Sequence, residues 1–283
     1  MNIIRKATEL KEQLNSNENK NKSIGFVPTM GALHNGHLSL IGASKSDTDL
    51  TVCSIFVNPA QFNDPKDYEK YPNTIEKDVQ FLKEAGTDLV FIPSVMEIYS
   101  DGSANLEQYD LGYLETILEG EYRPGHFQGV CQVMSRLLRA VMPHQLFMGQ
   151  KDYQQCMVIQ KLLRLIHLDQ TISLQVCPTV READGLAMSS RNLRLNEQER
   201  KKAVAVSKAL QFVKEGIKPG DLTRLEIEAA SQLSSNGFKV DYFEIAHADS
   251  LVLTNEWNGK SKLVALTAAF LNQVRLIDNM LLN

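Results

Sequence analysis

The stretch Ile24-Gly-Phe-Val-Pro28-Thr-Met-Gly-Ala-Leu-His34-Asn-Gly36-His37-Leu-Ser-Leu-Ile41 decides how the first part of the chain is built. Its apolar run from Ile24 to Pro28 reads as a short strand that stops at Pro-Thr-Met-Gly, a turn signal. From Gly36 onward, Leu38, Leu40 and Ile41 recur at helical spacing. The alternation then continues outward. Asp49–Val57 is a second strand, apolar nearly throughout, as expected when both faces of a sheet are covered. Thr74–Ala85 is a helix with Ile75, Val79 and Leu82 on one face, closed by Gly86. Asp88–Ile92 is a third strand, followed by helical segments around Leu111–Leu118 and Gly129–Val141. Gln145–Met148 is a fourth strand, Gln154–Leu165 a helix and Thr171–Val176 a fifth strand. Strands alternating with helices predict an α/β fold, a Rossmann-like parallel sheet doubly wound by helices on both faces. Ligands of such sheets sit beyond the carboxyl ends of the strands, where the strand order reverses.

After Arg191 the texture changes. Asn196 with Glu199 forms a capping box for a helix running to Gly216, and a second helix spans roughly Leu222–Leu233. Three strand-like runs follow, Phe238–Ala246, Lys262–Leu271 and Gln273–Ile277. Helices followed by neighbouring strands suggest a smaller C-terminal α+β domain. The expected division is 1–178 and 179–283, which agrees with a length of 283 residues being generous for one core. A net charge of −4 gives no basic footprint for a nucleic-acid partner. Met1–Leu14 is charged and amphipathic, without the apolar region of a signal peptide, and no run approaches the roughly 18 apolar residues that span a membrane. Cys53, Cys131, Cys156 and Cys177 are scattered without a CxxC pair, so they read as buried thiols in a reducing, cytoplasmic setting rather than as a zinc site.

Four segments carry chemistry, each just after a strand. In Met30-Gly31-Ala32-Leu33-His34-Asn35-Gly36-His37, a turn enters a helix whose first N–H groups are expected to be unpaired and open to an anion. His34 and His37, three apart, can share a face, and the positive helix end favours their neutral, N–H-donating form. Neutral donors can serve a phosphate whose charge grows in a transition state. Met188-Ser189-Ser190-Arg191 offers hydroxyls and a guanidinium on a loop that could close over a triphosphate. In Gly149-Gln150-Lys151-Asp152, Lys151 would meet phosphate and Asp152 a ribose hydroxyl, unless the two are a solvated lysine and an ordinary helix cap. In Asn58-Pro-Ala-Gln61, the amides suit a small polyol acid, unless they merely decorate a proline turn. Neither GxGxxG nor GxxxxGK[ST] is present.

HxGH with a KMSKS-like serine loop resembles the nucleotidyl-transferring enzymes related to class I aminoacyl-tRNA synthetases. With FVNPAQF, Arg123-Pro-Gly-His126-Phe-Gln-Gly129-Val, GQKDYQQ and DGLAMSSRN in order, the chain resembles the pantothenate synthetase family along nearly its whole length. The resemblance implies ATP-dependent joining of pantoate to β-alanine through a pantoyl adenylate, with AMP and pyrophosphate released. It also implies a lid in the C-terminal domain, a homodimer, and Mg²⁺ on the phosphates with no protein ligand assigned. Carried onto these positions, His37 is the catalytic proton donor and His34 its partner, with Lys151 and Arg191 at the phosphates. ATP is lined by Met30–His37, Gly149–Asp152, Val180 and Met188–Arg191. Gln61, Gln155 and Asn58 would hold pantoate, with Gln61 bordering β-alanine, while Arg123 and His126 are left without a role. The competing readings are another HxGH nucleotidyltransferase, whose product keeps the nucleotide, and a nucleotide-binding regulatory module without catalysis. The amide set Asn58, Gln61 and Gln155 stands against the first, and intact His34, His37, Lys151 and Arg191 against the second.

Overall fold

A computed structural model of the chain describes residues 1–62, 68–69, 71–100, 102 and 106–283. The chain forms two compact units: Met1–Gly149 with Gln155–Cys177, and Gln150–Gln154 with Pro178–Asn283.

The first unit is built on a parallel sheet of six strands, β1 (Asn2–Ile4), β2 (Ile24–Thr29), β3 (Leu50–Ile55), β4 (Leu89–Phe91), β5 (Gln145–Gly149) and β6 (Ser173–Cys177), in the order β1-β4-β3-β2-β5-β6. Every residue of β3 is buried, the expected consequence of helices on both faces. The order grows leftward from β2 through β3 and β4 and rightward through β5 and β6, so it reverses at β2. Pairing of β2 with β5 covers only Gly25 and Phe26, whereas its pairing with β3 runs on to Thr29. Pro28, which has no N–H to give, lies where the pairing with β5 has ended. The carboxyl end of β2 is therefore the switch point at which such sheets bind ligands.

The helices of this unit are α1 (Ala7–Leu14), α2 (Asn35–Asp47), α3 (Ile75–Glu84), α4 (His126–Val141) and α5 (Tyr153–Leu165). Strand β1 was not expected: it has three residues, of which only Ile4 is buried, too few to show a period of two. The segment expected to be helical over Leu111–Leu118 is a 3-10 turn, Gly112–Glu115, and a separate helical turn, Glu119–Tyr122. Leu118, at φ +48°, stands between them and interrupts any continuous helix. Helix α4 starts three residues earlier than expected, after Gly125 at φ +79°.

The second unit packs α6 (Glu197–Ala203), α7 (Ala205–Gly216) and α8 (Thr223–Ser235) with an antiparallel sheet. The Asn196–Glu199 capping box forms as expected, but Val204 divides the helix it starts into α6 and α7. After the two-residue β7 (Gly220–Asp221), β8 (Lys239–His247) and the short β9 (Glu256–Trp257), the chain forms β10 (Leu263–Leu271) and β11 (Val274–Leu281), in sheet order β11-β10-β8. Leu271 pairs with Val274, so Asn272 and Gln273 form a two-residue hairpin loop, with Asn272 at the φ of +52° that such a loop demands. No described helix is long and apolar enough to cross a membrane.

Glu226 of α8 accepts the Ile245 N–H of β8 at 2.7 Å. Burial pushes its carboxyl up to about 7, with the Ile245 N–H opposing and the charges of Glu244 and Asp221 adding to the rise. A carboxyl raised on folding contributes its full stability below its ordinary value of 4.5, and loses it as pH climbs through about 7. Glu226→Gln keeps an oxygen for Ile245 and carries no charge. Scanning calorimetry is expected to show it melting a few degrees above the wild-type chain at pH 8 and close to it at pH 5. Equal shifts at the two pH values would remove Glu226 as the cause.

Candidate active site

The turn after β2 holds two residues of positive φ, Gly31 at +82° and Ala32 at +49°. A left-handed alanine is strained and needs outside support. Asp78 of α3, 1% exposed, gives it: Oδ2 accepts from Ala32 N at 2.9 Å and from the Thr74 hydroxyl at 3.0 Å, and Oδ1 accepts from Leu33 N at 2.8 Å. Thr29 Oγ1 accepts from Gly31 N and donates to the Ser54 carbonyl.

His34 is the N-cap of α2, and its Nδ1 accepts from Gly36 N at 3.1 Å. His37 answers it, Nδ1 accepting from His34 N at 3.3 Å. The two rings lie 4.1 Å apart and form a reciprocal capping box in which imidazoles do the work usually done by Ser and Glu. Both Nδ1 lone pairs are thus in use, which places the proton of each neutral ring on Nε2. Of the amides in this segment, those of Gly31, Ala32, Leu33, His34, Gly36 and His37 have acceptors within the chain. Side chains and a backbone carbonyl of the chain itself accept from these amides.

Gln61 ends a 3-10 turn, Pro59–Gln61. Its Nε2 donates to Met30 Sδ at 2.9 Å and its Oε1 accepts from Asn58 Nδ2 at 3.2 Å, which fixes the amide's orientation. Asn58, expected at pantoate, is 1% exposed. Its Nδ2 also donates to the Gly129 carbonyl, and its Oδ1 accepts from Ala60 N and, at 2.7 Å, from the Tyr99 hydroxyl. All four hydrogen-bonding positions of the Asn58 amide are spent within the protein, one of them on Gln61. Burial pushes the Tyr99 hydroxyl up to about 12, so it remains a donor. The turn lies hard against α4: a Cβ on Gly129 would stand 2.2 Å from the Ala60 carbonyl oxygen. His126, also on α4, donates from Nδ1 to the Gln61 carbonyl at 2.8 Å, a tautomer set by Arg123 Nη1, which donates to Nε2 at 3.1 Å. The Arg123–Gly129 motif, without a role on sequence grounds, thus fastens the Gln61 turn. Gln155 sits half-buried in the first turn of α5, and Gly149 closes β5 opposite Cys177.

In the second unit, Gln150–Asp152 is a 3-10 turn with Lys151 Nζ 4.0 Å from Asp152 Oδ1. Val180 and Met188 are joined by a backbone hydrogen bond, closing a hairpin through Asp184 and Gly185. Ser189 caps a 3-10 helix, Ser190–Arg194, by accepting from Arg191 N; Ser190 is buried and Arg191 half-buried. Arg181 forks onto Asp278 at 2.6 and 3.0 Å. Burial holds the Asp278 carboxyl above the ordinary carboxylate range, with the Arg181 guanidinium pulling the other way.

The first unit therefore gathers Met30–His37, Asn58 and Gln61, and the second gathers Gln150–Asp152, Val180 and Met188–Arg191. The pantoate-β-alanine ligase family model matches residues 2–281. The chain belongs to the pantoate-β-alanine ligase family. As such it is a ligase, in agreement with the resemblance its motifs carry. It is 43% identical to a pantothenate synthetase of Cytophaga hutchinsonii over 97% of this chain and 96% of that one. A crystal structure of pantothenate synthetase from Thermus thermophilus superposes with a TM-score of 0.89 at 37% identity, covering 99% of each chain. A pantoate-β-alanine ligase from Francisella tularensis, complexed with β-γ ATP and β-alanine, gives 0.83 at 38% identity, covering 99% of this chain and 97% of that one.

Sequence reasoning missed Asp78, Tyr99, Arg181, Asp278 and Asn279. One signal was available: Asp78 interrupts the apolar stripe Ile75, Val79, Leu82, and Asp278-Asn279 interrupts an apolar strand. Asp78→Ala leaves two buried N–H groups without acceptors, which is expected to lower the unfolding free energy by roughly 2–4 kcal/mol. Urea unfolding checks this; an unmoved midpoint would mean that the turn supports itself.

Proposed function

We propose that the chain condenses pantoate with β-alanine in two steps. Pantoate's carboxylate attacks the α-phosphorus of ATP to give pantoyl adenylate and pyrophosphate; the amine of β-alanine then attacks the acyl carbon, forming the amide and releasing AMP. The observation that carries this reading is the reciprocal histidine cap, which fixes both imidazoles as Nε2–H donors at the switch point of the sheet. His37, with His34 beside it, donates to phosphate oxygens as charge builds on them, the demand for which a preorganised donor is suited. In this reading Met30–His37 and Gly149 of the first unit bind ATP, as do Gln150–Asp152, Val180 and Met188–Arg191 of the second. Lys151 and Arg191 offset the triphosphate charge. Gln61 and Gln155 hold pantoate, and Gln61 also borders β-alanine; Asn58 acts through Gln61.

Residues 1–178 take ATP and pantoate in this reading, and 179–283 form a lid. No group of three His, Cys, Asp or Glu residues suited to a metal ion occurs among the described residues. In this reading Mg²⁺ would be held by phosphate oxygens and water, where it would offset phosphate charge. We further propose a cytoplasmic homodimer, consistent with four cysteines that form no disulfide.

Labelled pyrophosphate is expected to exchange into ATP in the presence of pantoate and Mg²⁺ without β-alanine, and His37→Ala to slow that exchange by roughly 10²–10³ with little change in ATP affinity. An exchange that strictly required β-alanine would sink the two-step scheme.

Gln61→Ala removes an amide held from two sides. Its pantoate use is expected to fall about ten- to a hundred-fold, from a loss of roughly 1–3 kcal/mol, while calorimetric ATP binding stays within a few-fold. Intact pantoate dependence with collapsed ATP binding would reverse the assignment.

A further inference from the structure

Lys151 lies in the 3-10 turn Gln150–Asp152, and support for that turn arrives from the far end of the sequence. Asn279, on β11 and 2% exposed, donates both of its amide hydrogens to consecutive carbonyls of that turn, Gln150 O at 2.9 Å and Lys151 O at 2.8 Å. Its Oδ1 accepts from Gln150 Nε2 at 3.2 Å, closing a ring of contacts with a single residue. The main chain of Asn279 is engaged as well: its N–H donates to Asp278 Oδ1 at 2.8 Å and its carbonyl accepts from Arg181 Nη2 at 3.2 Å. Arg181 follows Val180 directly and also donates to the Gly185 carbonyl, so the same fork that pairs with Asp278 braces the Val180–Met188 hairpin.

Two segments separated by more than twenty residues, one bearing Lys151 and the other Val180 and Met188, are thus fastened to one Asp-Asn pair. A purely apolar strand would have packed there without difficulty. A buried asparagine is costly unless its donors and acceptor are met, and here both donors and the acceptor oxygen find partners in the Gln150–Lys151 turn. We propose that Asn279 is a positioning residue for adenylation: it fixes the backbone from which Lys151 reaches phosphate and sets that backbone against the Val180–Met188 hairpin. This rests on the reading of Lys151 as a phosphate ligand. The precision of the lysine is therefore set by the C-terminal sheet rather than by the strand that precedes it.

The experiment is a double-mutant cycle on pantoate-dependent pyrophosphate exchange, with Asn279→Asp, Lys151→Ala and the two combined. Aspartate keeps the volume of asparagine but sets a carboxylate oxygen against two carbonyls where two N–H groups had been. Asn279→Asp is expected to lower the rate of exchange at least tenfold with the pantoate KM within a few-fold, and to cost little more when Lys151 is already alanine. Asn279→Ser, which retains one short donor, is expected to fall between; it carries the test if the aspartate variant does not fold, as judged by thermal melting of each variant. Full additivity with Lys151→Ala, or a folded variant that exchanges like wild type, overturns the proposal. Absence of exchange in the wild-type chain, or normal exchange in Lys151→Ala, would instead overturn the functional reading on which it rests.

Discussion

The grip of Asp78 on Ala32 N and Leu33 N is the contact on which the first unit's chemistry depends. Where β2 ends, the chain must turn sharply to enter α2, and it does so through two consecutive left-handed residues, one of them not glycine. Such a turn costs on the order of 1–3 kcal/mol at the alanine and leaves successive amides pointing inward. A buried carboxylate from α3 meets two of those amides at once, and Thr74 supplies a donor to the same carboxylate. With the turn fixed, His34 falls at the N-cap and His37 one turn on, close enough to cap each other. Their Nε2–H groups follow from that exchange.

The rest of the site repeats this logic with different residue types. Gln61 is aimed by Asn58, and Asn58 by Tyr99 and Ala60, while its backbone is held by His126. The buried Asn58 amide and Asp78 carboxylate are both satisfied by partners within the chain, which is the condition under which burying them is tolerable. A side chain held in this way loses little freedom when a ligand arrives, so less binding energy is spent on ordering it.

The alternation of strands and helices was legible because both periods are local, and the sheet that results has the parallel, helix-covered form that the apolar strands implied. Strand β1 was not legible, since three residues cannot show a pattern and its place beside β4 is decided by tertiary pairing. Leu118 was misread for a related reason: leucine at a positive φ is a local conflict that only the surrounding packing can impose. The residues proposed to meet ligands stood out as motifs, because His, Gln, Lys and Arg cluster there at turns that follow strands. Those that hold them did not. Asp78 is 46 and 45 residues from the two amides it holds and Asn279 129 and 128 from the two carbonyls it holds, and no local spacing encodes such pairs.

The two units divide the charges in a way that fits an adenylation. His34, His37, Gln61 and Gln155 are neutral hydrogen-bonding groups and all belong to the first unit; Lys151 and Arg191 are cations and belong to the second. A carboxylate that has to attack phosphorus is weakened as a nucleophile when a cation is clamped on it, whereas amides can orient it at smaller cost. A triphosphate has the opposite need, since its negative charge must be offset before an anion can approach. The proposed assignment, amides to the nucleophile and cations to the phosphates, meets both demands. It also explains why the anchors differ: Gln61 needs its orientation fixed, so it is held by hydrogen bonds to its own amide, whereas Lys151 needs only its origin fixed, because a flexible stem ending in a point charge finds phosphate once its backbone is in place.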